Sequence, residues 1–235
     1  MIFIEKLKVQ YDEGGFIIDN LSLEIGKGES LAILGANGVG KTTLLHTLVG
    51  LLDIAGGEVI IDKLALRKEN LFEIRQRVGL IFQSPDEQLF MPTVLDDIAF
   101  GLVNAKMSIS DAGKKAKKIL KEFKLESIKD VSPLRLSDGE KRLVAIAGVL
   151  VTNQKIILLD EPTAYLDYLS KKNLINIIKN LEQTKLVASH DINFCKEVCD
   201  RAIILKKGKI ALDIPIAELE NNKNFLEECG IGMPL

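Results

Sequence analysis

The chain has little cysteine, almost no net charge and no long apolar run. Each shortage removes a class of function. Three cysteines, Cys195, Cys199 and Cys229, are too few and odd in number for a disulfide framework. Reduced thiols in a reducing compartment are expected. Cys195 and Cys199 stand i, i+4 on an expected helix just after His190, where two core-facing side chains fit better than a metal site. A formal net charge of −2 over 235 residues gives no electrostatic case for nucleic acid. No apolar stretch approaches the ~18 residues of a membrane span; the run at 143–151 is core-sized. There is no internal repeat and no low-complexity segment. Met1-Ile2-Phe3-Ile4 reads as a strand rather than a signal peptide. A cytosolic chain is expected, with any membrane role exerted through a partner. A hydrophobic content of 47% suffices for the core of one large domain, or of a domain with a sub-lobe.

The most informative stretch is Gly35-Ala36-Asn37-Gly38-Val39-Gly40-Lys41-Thr42-Thr43. It follows the apolar run Leu31-Ala32-Ile33-Leu34 and precedes a helical pattern from Leu44 to Val49. Strand, glycine-rich turn and helix start are the context that G-x-x-x-x-G-K-[ST] requires. Glycines let backbone N–H groups curl around a phosphate, and a helix N-terminus adds unpaired donors. Lys41 supplies charge to the β- and γ-phosphates, and the Thr42 hydroxyl can ligate Mg²⁺.

Along the chain, residues 1–11 and 16–25 alternate as strands, with Leu21, Leu23 and Ile25 on one face. Turns are expected at Asp12-Glu13-Gly14-Gly15 and Gly26-Lys27-Gly28-Glu29. An antiparallel β layer therefore precedes an α/β core. Gly56 to Asp62 reads as turn plus strand, 69–77 as a short helix, and 78–82 as a buried strand ending at Gln83. From about 92 to 150 the chain reads as helical. Thr93 caps one helix and Ser110 the next, which carries Ala116, Ile119, Leu120 and Phe123 on one face. Its other face holds Lys114, Lys115, Lys117, Lys118 and Lys121, a solvated face or, alternatively, a contact for anionic lipid. Ser137-Asp138-Gly139-Glu140 has the spacing of a capping box. Buried strands at 155–161 and 186–190, helices at 169–182 and 191–199, and a final strand with its turn at 201–210 complete the alternation. Strands alternating with helices imply a parallel sheet. Gln83, Asp160, Glu161 and His190 all fall at strand C-terminal ends, where open α/β sheets bind ligands. Residues 215–235 read as a small appendix.

Four apolar residues precede Asp160, making it a buried carboxylate, for which Mg²⁺ is a natural partner. Glu161 projects differently and can polarise an attacking water. His190 can reach a γ-phosphate, and Gln83 can touch Mg²⁺ or the water. Taken alone, His190 and Gln83 would read as structural.

The set resembles an ATP-binding cassette (ABC) ATPase over residues 1 to about 212. Residues 35–43 match the Walker A loop and Gln83 the Q-loop. Leu136-Ser137-Asp138-Gly139-Glu140 matches the signature, usually L-S-G-G-Q. Residues 156–161 with Pro162-Thr163 match Walker B, Ala164-Tyr165-Leu166-Asp167 the D-loop and His190 the switch histidine. Tyr11 stands where the family places its adenine-stacking aromatic. The resemblance implies a P-loop NTPase (RecA-like) core with an antiparallel β subdomain and an inserted helical subdomain. In one ABC ATPase domain spanning 1–235, residues 1–83 and 151–212 would form the core, 84–150 the helical part and 213–235 the appendix. It implies ATP with Mg²⁺, the metal held by Thr42, Gln83 and Asp160. It also implies a head-to-tail pairing, as a homodimer or with a paired ATPase subunit, in which Ser137, Asp138, Gly139 and Glu140 of one chain face the nucleotide of the other. The chain would sit peripherally on the cytoplasmic face of the cell membrane, on integral membrane subunits, with no nucleic acid.

A finer resemblance lies in Gln83-Ser84-Pro85-Asp86-Glu87-Gln88-Leu89-Phe90, which is similar to the Q-N-P-D-D-Q-L-F of energy-coupling factor importers. Val144 to Leu150 and the tail from Phe225 to Ile231 before Pro234 fit the same group, whose cobalt/nickel type is the nearest. Vitamin uptake is the alternative. Asp138, Glu140, Tyr165 and Tyr168 depart from the family pattern. A non-transport cassette is disfavoured, since only the residues between Ser84 and Leu136 separate the Q-loop from the signature, too few for a coiled-coil insertion. A generic P-loop kinase has no use for the signature or for His190.

Overall fold

Strict alternation builds the first layer. In the computed structural model, which describes residues 1–11 and 15–232, β1 (Ile2–Gln10) and β2 (Phe16–Ile25) pair antiparallel with Ile2 opposite Ile25 and Ile4 opposite Leu23. Leu21, Leu23 and Ile25 are buried together, as their spacing requires. Of the turn expected at 12–15, residues 12–14 lie outside the described residues, as does Pro234. β3 (Ser30–Leu34) leads through the glycine-rich loop into α1 (Lys41–Leu48). β4 (Gly56–Ile61) and β5 (Leu64–Ala65) return to the first sheet, whose order is β2-β1-β4-β5. The helix expected over 69–77 begins as a 3-10 turn at Lys68–Asn70 before α2 (Leu71–Arg77). β6 (Val78–Ile81) stops short of Gln83.

Three helices follow: α3 (Val94–Asn104), α4 (Ile109–Glu122) and α5 (Asp138–Leu150). Thr93 caps α3 as expected, accepting from the Asp96 N–H. The cap of α4 is Ser108, not Ser110. Ser108 accepts from the Asp111 N–H at 3.1 Å and donates to the Asp111 carboxylate at 2.8 Å. The acid three residues on makes Ser108 the better cap, because donor and acceptor are satisfied in both directions. Ala112, Ala116, Ile119 and Leu120 face inward from α4, and the five lysines of its other face are exposed.

The chain then alternates: β7 (Ile156–Asp160), α6 (Tyr168–Lys179), β8 (Thr184–Ala188), α7 (Ile192–Val198), β9 (Arg201–Lys206) and β10 (Lys209–Pro215). The second sheet has the order β10-β9-β3-β8-β7-β6. β3 runs parallel to β8 and β9, and β7 parallel to β8, while β10 adds an antiparallel edge. β3, β7 and β8 are buried at every position, the mark of strands covered on both faces. Arg201 fastens the edge: it donates to Asp213 at 2.6 and 2.5 Å and to Glu29 at 2.8 Å. The stretch read as an appendix begins within β10 and continues as a 3-10 segment (Ile216–Asn222) and α8 (Lys223–Glu228), with Leu219 and Leu226 fully buried.

Two compact units result. One contains residues 1–80, 155–161 and those from 182 onward, hence both sheets up to Leu80 of β6. The other contains residues 81–154 and 162–181, hence α3 to α6.

Candidate functional site

In the first unit, β3 delivers the chain into a loop whose glycines 35, 38 and 40 have φ of 154°, 76° and 107°. A Cβ on Gly35 would stand 2.7 Å from the Leu205 carbonyl oxygen, so the loop closes on β9 only with glycine there. α1 starts at Lys41 with Gly40 as its cap and no side chain bonded to its first N–H groups. That is the anion-binding end of a helix. Lys41 is 7% exposed and folds back over the loop, donating to the Gly35 and Ala36 carbonyls at 2.8 and 3.1 Å. Burial lowers its pKa below the ordinary lysine value, against the charges of Glu161 and Asp160. The Tyr11 hydroxyl lies 3.4 Å from Thr43 Oγ1, with the ring about half exposed at the rim.

Asp160 ends β7 and has no exposed surface. Burial raises its carboxyl above the usual value. The Thr42 hydroxyl works against that rise, and the charge of Glu161 adds to it. Neither Asp160 oxygen makes a hydrogen bond of full geometry within the protein, so Thr42 lies near without closing one. A buried carboxylate with open lone pairs beside a hydroxyl suits a hard cation with oxygen ligands. The described residues contain no group of three His, Cys, Asp or Glu side chains arranged to cage a metal. Mg²⁺ does not ask for one, since it keeps waters and takes phosphate oxygens alongside one or two protein ligands.

Glu161, one residue on, has φ of 46° and is 7% exposed. Its N–H still extends the β7–β8 ladder by donating to the Ala188 carbonyl at 2.8 Å. Its carboxylate is held by the strand end beside it. Ser189 Oγ donates at 3.0 Å, the His190 N–H at 3.1 Å, and His190 Nδ1 lies 2.9 Å away. The His190 ring is largely exposed. The glycine-rich loop, Asp160, Glu161, His190 and Tyr11 thus share one unit. Cys195 and Cys199 follow on α7 and at its C-terminal cap as buried free thiols.

The second unit carries the rest. Ser137 caps α5 in a complete capping box: its backbone N–H donates to Glu140 Oε2 at 2.9 Å, and its hydroxyl donates to the same oxygen at 2.7 Å. Asp138 and Gly139 open the helix. Asp167 caps α6 by accepting from the Leu169 and Ser170 N–H groups at 2.8 and 3.0 Å. A cavity of about 680 Å³ is lined by Ser137, Asp138, Gly139, Glu140, Tyr165 and Asp167 among others. A second, of about 280 Å³, is lined by Gln83, Asp86, Glu87, Asp138 and Tyr165. Asp138 and Tyr165 border both.

Sequence reading missed three supporting residues. Arg142 is fully buried in α5 and donates to the Phe82 carbonyl at 2.6 Å and to the Gln83 carbonyl, fixing the backbone that presents Gln83. Gln88 bridges the same loop to α5, donating to the Ala145 carbonyl at 2.8 Å. Ser189 orients Glu161. Gln88 stands within the 83–90 stretch and Ser189 near the end of an apolar strand, but neither position announces its hydrogen-bond partner.

The ABC transporter family model matches residues 18–164. A putative ABC transporter ATP-binding protein of Geobacter sulfurreducens is 38% identical over 96% of this chain and 90% of its own length. An energy-coupling factor transporter ATP-binding protein of Clostridium perfringens is 35% identical over 98% and 83%. Among solved structures, cbiO1 of Clostridium perfringens, described as part of the ABC transporter complex cbiONQ, is similar with a TM-score of 0.81, 35% identity and coverage of 97% of this chain and 93% of that one. A dimeric ATP-binding cassette in a post-hydrolysis state bound to ADP and Pi is similar with a TM-score of 0.85, 30% identity and coverage of 92% and 99%.

Proposed function

Because the chain belongs to the ABC transporter family of ATP-binding proteins and is an ATPase of that family, we propose that it hydrolyses ATP within a dimer to drive uptake through separate integral membrane subunits. The observation that carries the chemistry is the Glu161 carboxylate, pinned by Ser189 and His190 at a strand end beside the buried Asp160. Residues 35–43 hold the phosphates, with Lys41 moving from the loop carbonyls to the phosphate oxygens. Tyr11 covers the base. Thr42 and Asp160 would hold the Mg²⁺ that accompanies ATP, with Gln83 as the third candidate ligand, and the ion would supply neutralisation of phosphate charge. Glu161 accepts a proton from the attacking water, and His190 keeps that carboxylate turned toward the phosphate. The partner chain supplies Ser137 and Gly139 at a helix N-terminus, with Asp138 and Glu140 beside them and Asp167 at the same face.

No described helix is long and apolar enough to cross a membrane. On this reading the chain acts from the cytoplasmic face through membrane subunits. The energy-coupling factor and cbiONQ relatives support a transporter of that type; import of Co²⁺ or Ni²⁺ rests on the resemblance of residues 83–90 to the cobalt/nickel importers. Copurification of the membrane subunits and uptake assays with Co²⁺, Ni²⁺ and vitamins test the cargo, and stimulation by a vitamin alone would replace it. For the ATPase, Glu161→Gln should bind ATP and dimerise while hydrolysing at least about 100-fold more slowly, the scale of a lost general base. Near-normal turnover in that variant would refute the assignment.

A further inference from the structure

The last described stretch of the chain reaches back to the phosphate loop. α8 ends in a Schellman-type turn, in which the Ile231 N–H donates to the Leu226 carbonyl and the Gly230 N–H to the Glu227 carbonyl, both at 2.9 Å. That turn needs a left-handed residue, and Gly230 has φ of 74°. Leu226, Cys229 and Ile231 are buried and seat the turn. Phe225 adds a second hold, with its ring 5.7 Å from Lys206 Nζ. Lys206 ends β9 one residue after Leu205, whose carbonyl lies against Gly35. The seat brings Gly230 onto Ala36. A Cβ on Gly230 would stand 3.2 Å from the Ala36 Cβ, closer than ordinary contact. Ala36 is also one of the two residues whose carbonyls hold Lys41 Nζ.

We propose that residues 225–231 brace the phosphate loop, and that Gly230 is a positioning residue whose missing side chain fixes where Ala36 stands. The proposal rests on the reading of residues 35–43 as the ATP site. Phosphate draws Lys41 away from the Gly35 and Ala36 carbonyls, so the loop must keep its curve while losing those two bonds. The tail supports it at Ala36. A methyl at 230 displaces Ala36 by a few tenths of an ångström. The N–H groups that follow then miss hydrogen-bond length to the phosphate. Linkage makes the effect mutual: whatever fixes the tail tightens ATP binding, and ATP fixes the tail by the same factor.

The test is a double-mutant cycle on the full chain, reading MgATP affinity by titration and Tm in parallel. Gly230→Ala and Gly230→Asn should each weaken binding about threefold to tenfold. Ala36→Gly in the same chain should bring affinity back to within about twofold of Ala36→Gly alone, as coupled neighbours do. Asn tolerates the left-handed conformation, so a loss shared by Ala and Asn comes from the Cβ and not from turn strain. A loss confined to Ala, equal losses with and without Ala36→Gly, or unchanged affinities each overturn the brace. So does a fall in Tm that carries the affinity down without rescue. If the unaltered chain binds no nucleotide, the functional reading falls and the brace with it; normal binding without coupling removes the brace alone.

Discussion

At the scale of single residues, Asp160 sets stability against function. It is fully buried, its carboxyl is raised by burial, and Thr42 only partly offsets that cost. A raised folded pKa means the unfolded chain holds the anion more readily. The contribution is therefore harmless at acid pH, where both states carry the proton, and the cost grows as pH rises from about 4 through the raised folded value. Asp160→Asn should stabilise the nucleotide-free chain at pH 7 by about 1–2 kcal/mol, or roughly 2–8 °C in Tm. That gain should vanish near pH 3, while Mg²⁺-dependent ATP hydrolysis is lost at every pH. Thermal melts across pH with parallel activity assays check both halves; a variant less stable than the parent at pH 7 would contradict the burial argument. The motif residues are legible because their chemistry tolerates few substitutes: Lys41 and Thr42 follow from the spacing of the loop, Asp160 and Glu161 from their place at the end of an apolar strand, and His190 from the family resemblance, and all five stand in one unit of the fold. Arg142 and the Gly230–Ala36 contact were not legible. Each joins positions far apart in sequence, and nothing in a buried arginine's neighbours announces which carbonyls it will reach.

At the scale of elements, patterning places most strands and helices; it leaves the short β5, the edge strand β10 and α8 unread, and the other differences fall at element ends. α2 begins as a 3-10 turn, and α4 is capped by Ser108. Two serines two residues apart both look like caps. The tie breaks at the third residue beyond each: Asp111 for Ser108, Gly113 for Ser110. Only the first can reciprocate, and the hydrogen bonds follow it. Ser108→Ala should therefore cost about 1 kcal/mol in urea unfolding. Ser110→Ala should cost nothing measurable, since alanine is the better helix former at an exposed position. Equal losses would mean that the cap is shared. The signature stretch shows the same logic with a functional consequence. Glu140, where the signature usually has glutamine, completes the capping box with Ser137, so α5 starts at Asp138. Glu140 also takes up the Ser137 hydroxyl at 2.7 Å. In the proposed dimer that proton would have to turn from Glu140 to a phosphate oxygen.

At the scale of the whole molecule, the charge on that face becomes a question of assembly. Asp138 is exposed and borders both cavities of the second unit. As a first-turn acid it favours its own helix dipole, so the isolated chain has no reason to lose it. In the proposed head-to-tail dimer the same carboxylate faces the partner's γ-phosphate. Two unit charges about 6 Å apart at an effective dielectric of about 40 repel by roughly 1.4 kcal/mol, about a factor of ten. Asp138→Gly should therefore raise ATP-driven dimerisation of the Glu161→Gln chain by about tenfold, and raise ATPase activity in the otherwise unaltered chain. Tm should fall slightly, since glycine at an exposed helix start gives up the dipole contact and some backbone order. Salt separates charge from shape: at 1 M the Debye length is about 3 Å, and the gain should shrink toward nothing. A gain that persists at high salt would assign the effect to the room that Asp138 vacates beside Tyr165. Association and hydrolysis equal to the parent's at both salt concentrations would mean that Asp138 points away from the partner's nucleotide, so that the second acid of this signature costs the assembly nothing.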